Sequence, residues 1–191
     1  MKKIFLSIII LFSFEYSASS HVAHYSKFNY LEYELFRNNK SIGYHKYNFI
    51  RKNETLSIKS EVNFNITKLG VDLYKYYAVS EEVYKNDEFF KFSSKTNQNK
   101  KQKYVNISFD STSNSLIIDG SSYKGKTSKD HIVGTWWNHE IVKSKAQISA
   151  ISGRVIEQTV TFIGKEQIII NGKTFNALHF NFKSSDETLP G

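Results

Sequence analysis

A long stretch of two-residue alternation constrains the fold of this chain most. Between Thr55 and Thr67 the odd positions are polar and the even positions are apolar or small. The even positions are Leu56, Ile58, Ser60, Val62, Phe64 and Ile66. Period two is typical of a β-strand with one buried and one solvated face, whereas a helix would distribute these residues around its circumference. The segment therefore predicts a strand whose apolar side chains line the concave face of a sheet.

The same pattern, less regular, predicts further strands in the first two-thirds of the chain. The connections between them are short and rich in turn-forming residues, such as Asn38-Asn39 and Leu69-Gly70. Connections of this length join antiparallel neighbours. The region is therefore predicted to be a meander of long hairpins, with strands at 29–36, 42–50, 55–67, 73–84, 88–95 and 103–109.

The C-terminal third gives weaker signals. A short strand at 116–119 precedes a polar segment, 121–135, that has no clear periodicity. Apolar residues at 138–152 fit a short helix imperfectly, and Gly153 is placed to cap it. Asn171-Gly172 is a strong hairpin signal. The remaining strands are predicted at 155–163, 167–170 and 174–182.

These elements together predict an all-β protein. Long sequential hairpins with one apolar face must curl to bury that face. We therefore expect a single curved antiparallel meander sheet that forms an open barrel or half-barrel, with one short helix around 138–152. The chain has 191 residues, among them 15 Phe and 12 Tyr, and a large sheet surface can cover this many aromatic rings.

The N-terminus has the pattern of a secretory signal peptide. Lys2 and Lys3 precede an apolar run at 4–14, and small residues follow at 17–20. The apolar run is well short of the ~20 residues that span a bilayer. We therefore predict cleavage of residues 1–20 and a periplasmic or secreted protein that consists of one domain, 21–191.

Composition limits the chemistry of this chain and its partners. The sequence contains no cysteine, which excludes disulfides, thiol nucleophiles and thiolate metal sites. Its formal net charge of +8 would suit an anionic membrane surface or an acidic polymer, although solubility alone explains a scattered excess of this size. Nucleic acid is not an expected partner of an exported protein, and no transmembrane segment is predicted.

The residues predict no catalytic centre, cofactor site or metal site. His131 and His139 are eight residues apart, wider than the usual spacing of zinc ligands. Ser152-Gly153 lacks the second glycine of a nucleophile elbow. Glu81 and Glu82 are adjacent on a strand and face opposite sides, so they cannot act together on one substrate.

The adjacent Trp136 and Trp137 are the most distinctive local feature. They follow the polar segment and could cover the mouth of a concave sheet, where one indole packs inward and the other meets a ligand or a membrane. The alternative is structural: one indole plugs the open end of the barrel and the other shields a hairpin. With Tyr84 and Phe64 as aromatic neighbours on the sheet, we predict a ligand site made of Trp136, Trp137, Tyr84 and Phe64.

Short motifs distributed over most of the mature chain resemble a family of exported proteobacterial proteins. The motifs include Tyr33-Glu34-Leu35, Ser60-Glu61-Val62-Asn63-Phe64, Glu81-Glu82-Val83-Tyr84, Trp136-Trp137-Asn138 and Ser152-Gly153-Arg154. Together they place the chain nearest family 6134 of the domains of unknown function. The resemblance implies an exported, curved antiparallel sheet and assigns no activity or catalytic residue.

The chain departs from the family pattern at two places. Tyr84 stands where the family tends to have Trp, which keeps an aromatic side chain at this position. Family members continue past the position of Phe182 through another hairpin, so the domain at 21–191 is expected to lack its C-terminal strands.

The functional expectation is a non-enzymatic envelope protein that holds an apolar or amphiphilic ligand in its concave sheet. The alternative is a module with a fully packed interior that binds an envelope protein or an anionic polymer through its basic outer surface. A hydrolase is the third hypothesis.

Overall fold

The computed structural model describes residues 25–170 and 172–184, so the predicted signal peptide at 1–20 lies outside the described residues. The described chain consists almost entirely of strands. Their bounds are β1 (Tyr30–Arg37), β2 (Lys40–Lys52), β3 (Thr55–Lys68), β4 (Val71–Lys85), β5 (Glu88–Gln98), β6 (Lys101–Asp110), β7 (Ser115–Gly120), β8 (Lys124–Ser128), β9 (Ile132–Val133), β10 (Ala146–Ile148), β11 (Val155–Ile170) and β12 (Lys173–Ser184). A 3₁₀-helix, His139–Val142, lies between β9 and β10.

The first eight strands form one antiparallel sheet in which each strand pairs with the next one along the chain. The alternating segment at 55–67 lies within β3, where Leu56 and Ile58 are buried. In the described residues β1 and β8 are the two edges and do not pair with each other. The predicted all-β antiparallel meander is therefore confirmed, and the sheet is not closed into a barrel.

One face of this large sheet, which we call the covered face, packs against residues 133–156, which we call the covering segment. Two clusters of buried side chains fill the space between them, and the covering segment contributes Val133, Trp137 and Ile148. The sheet contributes Tyr47, Phe49, Leu56, Ile58 and Tyr84 to the first cluster and Phe92, Val105, Ile107, Leu116 and Ile118 to the second. The covering segment therefore completes the core of the sheet.

The expectation of a single sheet is wrong. A second sheet has the strand order β12-β11-β10-β9, and its β9–β10 pair is parallel. Strands β9 and β10 have two and three residues, which is too short for alternation to show in the sequence. The segments predicted as two strands, 155–163 and 167–170, form one strand, β11. A bulge between Phe162 and Gly164 shifts the register and interrupts the alternation in the sequence, so that one strand resembles two.

The helix predicted around 138–152 is also corrected. Only His139–Val142 is helical, as one 3₁₀ turn that the Asn138 side chain caps by accepting a hydrogen bond from the Glu140 amide. Residues 146–148 form β10 because their backbone finds partners in both β9 and β11. Gly153, the predicted helix cap, lies in a turn with a φ of 80°. No helix in the described part of the chain is long and apolar enough to cross a membrane.

Candidate functional site

A carboxylate lies inside the core, on the covered face of β4. Glu82 is only 2% exposed and accepts three hydrogen bonds. The Tyr84 hydroxyl donates to Oε1 at 2.5 Å. The Thr135 hydroxyl and Trp137 Nε1 donate to Oε2 at 3.0 and 2.7 Å. Because Thr135 and Trp137 belong to the covering segment, Glu82 ties that segment to the large sheet.

Burial is the main influence on the charge of Glu82. Desolvation raises the pKa of this carboxyl, and the hydrogen bonds from Tyr84, Trp137 and Thr135 oppose the rise. Burial also raises the pKa of Tyr84, and the neighbouring Glu82 charge adds to that rise. A buried carboxylate is tolerated only while its partners remain in place. All three donors therefore have to be in place together, so this cluster fixes the position of the covering segment on the sheet.

A row of hydrogen-bonding side chains, which we call the polar chain, connects Thr135 to β3. The Tyr47 hydroxyl donates to the backbone oxygen of Thr135 at 2.5 Å and lies 3.3 Å from His45 Nδ1. His45 Nε2 lies 3.0 Å from the Ser60 hydroxyl. Burial lowers the pKa of His45 to about 4. The imidazole is therefore neutral near neutral pH and can exchange hydrogen bonds with both hydroxyls.

Replacing His45 by glutamine should make the protein less sensitive to acid. The folded pKa of about 4 lies below the ordinary value of 6.5, so the unfolded chain takes up this proton first as the pH falls. The stability that depends on neutral His45 is fully present above pH 6.5 and is lost between 6.5 and about 4. Urea denaturation should show that, as the pH is lowered from 6.5 to about 4, the free energy of unfolding falls less for His45→Gln than for the wild type. A difference between the two proteins that does not change with pH would contradict the assignment.

An apolar cavity lies next to this polar chain, between the covered face and residues 134–156. Its volume is about 490 Å³, within the range of roughly 300–1,000 Å³ that is typical of small-molecule sites. No Lys, Arg, Asp or Glu is among the described residues that line it. Its apolar lining includes Val62, Phe64, Ala78, Ala150, Ile151 and Ile156. The cavity therefore suits an apolar group or an uncharged part of an amphiphile.

The cavity also contains a polar atom that the described chain does not satisfy. Thr96 is 1% exposed, and its hydroxyl oxygen has no hydrogen-bond partner of good geometry in the described residues. Burial raises the pKa of Tyr76, and the Tyr76 hydroxyl is close enough to Thr96 for their contact to oppose that rise. A buried hydroxyl without a partner costs free energy. A ligand with a polar atom at this position would recover that free energy.

Trp136 lies at the rim of the cavity. Its side chain lines the cavity and yet is 58% exposed, and it contacts Phe182 of β12 edge to face at 5.4 Å. Its φ of 64° is in the left-handed region, where a bulky side chain is strained. Strained residues of this kind are enriched at ligand sites. The Trp136 indole therefore lies at the cavity, whereas the Trp137 indole is buried in the core.

The structure divides the four predicted ligand residues into two pairs. Phe64 and Trp136 line the cavity. Tyr84 and Trp137 lie in the core, 7% and 4% exposed, with their rings edge to face at 5.8 Å. Both of these donate to Glu82, so their contacts are with the polar cluster.

Sequence reasoning did not identify Glu82, Thr135 or His45. In the segment around Glu82 both strand faces carry apolar residues, Val83 on one and Tyr84 on the other, so alternation could not show which glutamate is buried. The structure buries Glu82 and leaves Glu81 to accept a hydrogen bond from Ser57 at 2.6 Å. The only local signal was a hydroxyl and an indole donor close together in the segment at 135–137.

The site offers little support for catalysis. Ser60 and His45 are within hydrogen-bond distance, as a nucleophile and its base would be. A histidine whose pKa is about 4 is a weak base at neutral pH, and the group beyond it is the Tyr47 hydroxyl where an acidic orienting group is usual. In residues 25–170 and 172–184 no three metal-ligating side chains converge.

The fold and the site together define an all-β protein with a carboxylate-centred core and an adjoining apolar cavity. The chain belongs to the family described as a domain of unknown function (DUF6134), whose model matches residues 33–189. No curated protein and no solved structure matches it.

Proposed function

We propose that this is an exported, non-enzymatic envelope protein that binds an apolar or amphiphilic molecule in the cavity beside Trp136. The ligand class is that of a lipid, an isoprenoid or the acyl chain of a lipoprotein. The proposed location is the periplasm or the exterior, after cleavage of the signal peptide. No cofactor is part of the proposal.

The observation that carries the proposal is the contrast between the cavity and the rest of the molecule. A chain with a net charge of +8 has a cavity of about 490 Å³ whose described lining is free of formally charged side chains. Most of the lining surface is apolar, and its polar side chains, among them Thr96, Gln147 and the neutral His45, carry no formal charge. This combination is typical of sites that surround a hydrocarbon chain and orient one polar end.

The rival proposal is a module that binds an envelope protein or an anionic polymer through its outer surface. That proposal needs no interior space, because aromatic side chains would fill the sheet. The cavity favours the ligand-binding alternative. The hydrolase hypothesis rests on the Ser60–His45 pair alone, and the low pKa of the histidine weakens it.

Tryptophan fluorescence distinguishes ligand binding from a packed interior, because the chain contains only two tryptophans. Titration of the wild-type protein with palmitate should shift the emission to the blue, since a ligand at the rim removes water from the exposed Trp136 indole. Trp136→Asn should abolish the shift, because the remaining Trp137 is already buried. Asparagine tolerates the left-handed backbone at this position, so the variant should stay folded.

Trp137→Phe is the matched control, and it should keep the blue shift at the temperature where the variant is folded. The ligand proposal would be contradicted if palmitate, phospholipid and isoprenoid alcohols all left the wild-type emission unchanged. A shift that persists unchanged in Trp136→Asn would place the ligand elsewhere.

A further inference from the structure

Leu69 is an outlier among the hairpin turns of the large sheet. Four of these turns begin with two residues of positive φ, as a tight hairpin turn requires: Asn38-Asn39, Leu69-Gly70, Asn86-Asp87 and Asn99-Lys100. Asparagine occupies the first position in three of them, because it tolerates this conformation. The β3–β4 turn instead holds a leucine with a φ of 51° and 95% of its surface exposed.

Two further apolar side chains near Leu69 are exposed. Val71 and Leu73, which follow it on β4, are both more than half exposed. Toward the cavity the same hairpin carries a stack of rings, with Phe64 4.9 Å from Tyr76 and 5.8 Å from Tyr74. All three rings line the cavity. One hairpin therefore extends from the cavity to an exposed apolar tip.

The end of the sheet at which this tip lies is basic. In a meander, alternate turns lie at the same end of the strands. The turns at 38–39, 69–70, 99–100 and 121–123 therefore lie in one row, and we call this row of turns the distal edge. Two hydrogen bonds between Lys75 and Asn99, at 2.7 and 2.9 Å, hold the third of these turns against β4. The basic residues within two positions of these turns are Arg37, Lys40, Lys68, Lys100, Lys101 and Lys124.

The acidic residues in the same windows are Asp72 and Asp119, and each is paired with a lysine, Lys75 or Lys124, at 2.6 Å. The opposite edge, with turns at 53–54, 86–87 and 111–114, is balanced. Its windows contain the basic residues Arg51, Lys52 and Lys85 and the acidic residues Glu54, Asp87, Glu88 and Asp110. The positive charge is therefore concentrated at the edge that carries the apolar tip.

We infer that the distal edge docks on the surface of an anionic lipid bilayer. Leu69, Val71 and Leu73 enter the boundary between head groups and acyl chains, and Lys68, Lys100 and Lys101 lie against the lipid phosphates. An apolar tip flanked by lysines is the composition that binds such surfaces. The docked hairpin would place the cavity close to the membrane from which an apolar ligand is taken. The docking itself does not depend on the cavity being occupied.

Leu69→Asn tests the apolar contact without endangering the fold. Asparagine suits the left-handed backbone, so the thermal stability should stay equal or rise. Sedimentation with vesicles of phosphatidylcholine and phosphatidylglycerol should show strong binding of the wild-type protein and binding by Leu69→Asn that is weaker by about tenfold or more, because one buried leucine is lost from the interface. Vesicles of phosphatidylcholine alone should bind neither protein.

The charge contact is tested by two triple variants with the same change in net charge. Lys68→Gln, Lys100→Gln and Lys101→Gln together should weaken binding by roughly a hundredfold, because each lysine near an anionic surface contributes about a fivefold factor. Lys52→Gln, Lys91→Gln and Lys129→Gln, on strands and turns toward the opposite edge, should change binding much less.

The inference would be overturned if the wild-type protein failed to bind anionic vesicles, or if the two triple variants lost affinity equally. It would also be overturned if Leu69→Asn bound vesicles normally. A dimer that dissociates on Leu69→Asn, without any vesicle binding, would assign the tip to contact between two copies of the chain. Failure to bind vesicles alongside a palmitate response at Trp136 would refute the docking and leave the ligand proposal intact.

Discussion

Replacing Glu82 by alanine should lower the free energy of unfolding by about 3–5 kcal/mol. The change removes the acceptor of three hydrogen bonds, leaves the Thr135 hydroxyl and the Trp137 N–H buried next to a void, and loosens the covering segment. Buried donors without a partner cost about 1–3 kcal/mol each, and the void adds to that cost. Urea denaturation monitored by circular dichroism measures the change.

Glu82→Gln is the matched control and should alter the free energy of unfolding by no more than about 1 kcal/mol. Its amide oxygen can accept from Thr135 and Trp137, its NH₂ group can donate to the Tyr84 hydroxyl, and the buried charge is gone. Equal destabilisation by alanine and glutamine would show that the charge is needed. Little effect of either would show that the covering segment is held mainly by apolar contacts.

The wild type and Glu82→Gln should differ in how their stability depends on pH. Because the folded pKa of Glu82 is raised above 4.5, the folded protein takes up this proton before the unfolded chain does as the pH falls. The contribution of Glu82 to stability is therefore most favourable below pH 4.5 and is lost as the pH rises through the folded pKa. The stability of the wild type relative to Glu82→Gln should decline with rising pH above 4.5.

The second large effect concerns the cavity. Ala78→Phe should weaken palmitate binding by at least about tenfold, a loss of 1.4 kcal/mol, while the free energy of unfolding is kept or increased. Ala78 lies on β4 opposite Val62, and both line the cavity. A phenyl ring there would occupy space that we assign to the ligand. Calorimetric titration of the variant with palmitate measures the loss.

Ser93→Phe supplies a matched ring outside the cavity. Ser93 lies on the neighbouring strand β5 and is exposed, on the face opposite the buried Phe92 and Ser94. This variant should bind palmitate as the wild type does. If Ala78→Phe bound palmitate normally, the cavity would be excluded as the ligand site. A large loss of stability in Ala78→Phe would show that the interior is already filled.

The large sheet could be predicted from the sequence because its strands are long and its turns are chemically distinct. The segment at 55–67 has apolar residues at five of its six even positions, and Asn38-Asn39 and Asn86-Asp87 mark tight turns. The second sheet could not be predicted in the same way. Its β9 and β10 are too short to show a period, and the bulge in β11 makes one strand look like two.

The candidate site was only half predictable. The paired tryptophans mark the segment around 136–137 as distinctive, and alternation predicts an apolar face of β3 that includes Phe64, which lines the cavity. Which tryptophan faces inward depends on the positive φ of Trp136, and no sequence rule predicts that for a bulky residue. The burial of Glu82 depends on donors 53 and 55 positions away in the chain, which local patterns cannot reveal.

Native mass spectrometry of the protein purified without added lipid tests the central proposal most directly. If the cavity binds an apolar or amphiphilic molecule, the wild-type spectrum should contain a second species whose added mass corresponds to a lipid, a fatty acid or an isoprenoid. That species should be absent from Ala78→Phe and retained in Ser93→Phe. A wild-type spectrum that contains only the unliganded protein, and still does so after incubation with palmitate, phospholipid and isoprenoid alcohol, would contradict the account.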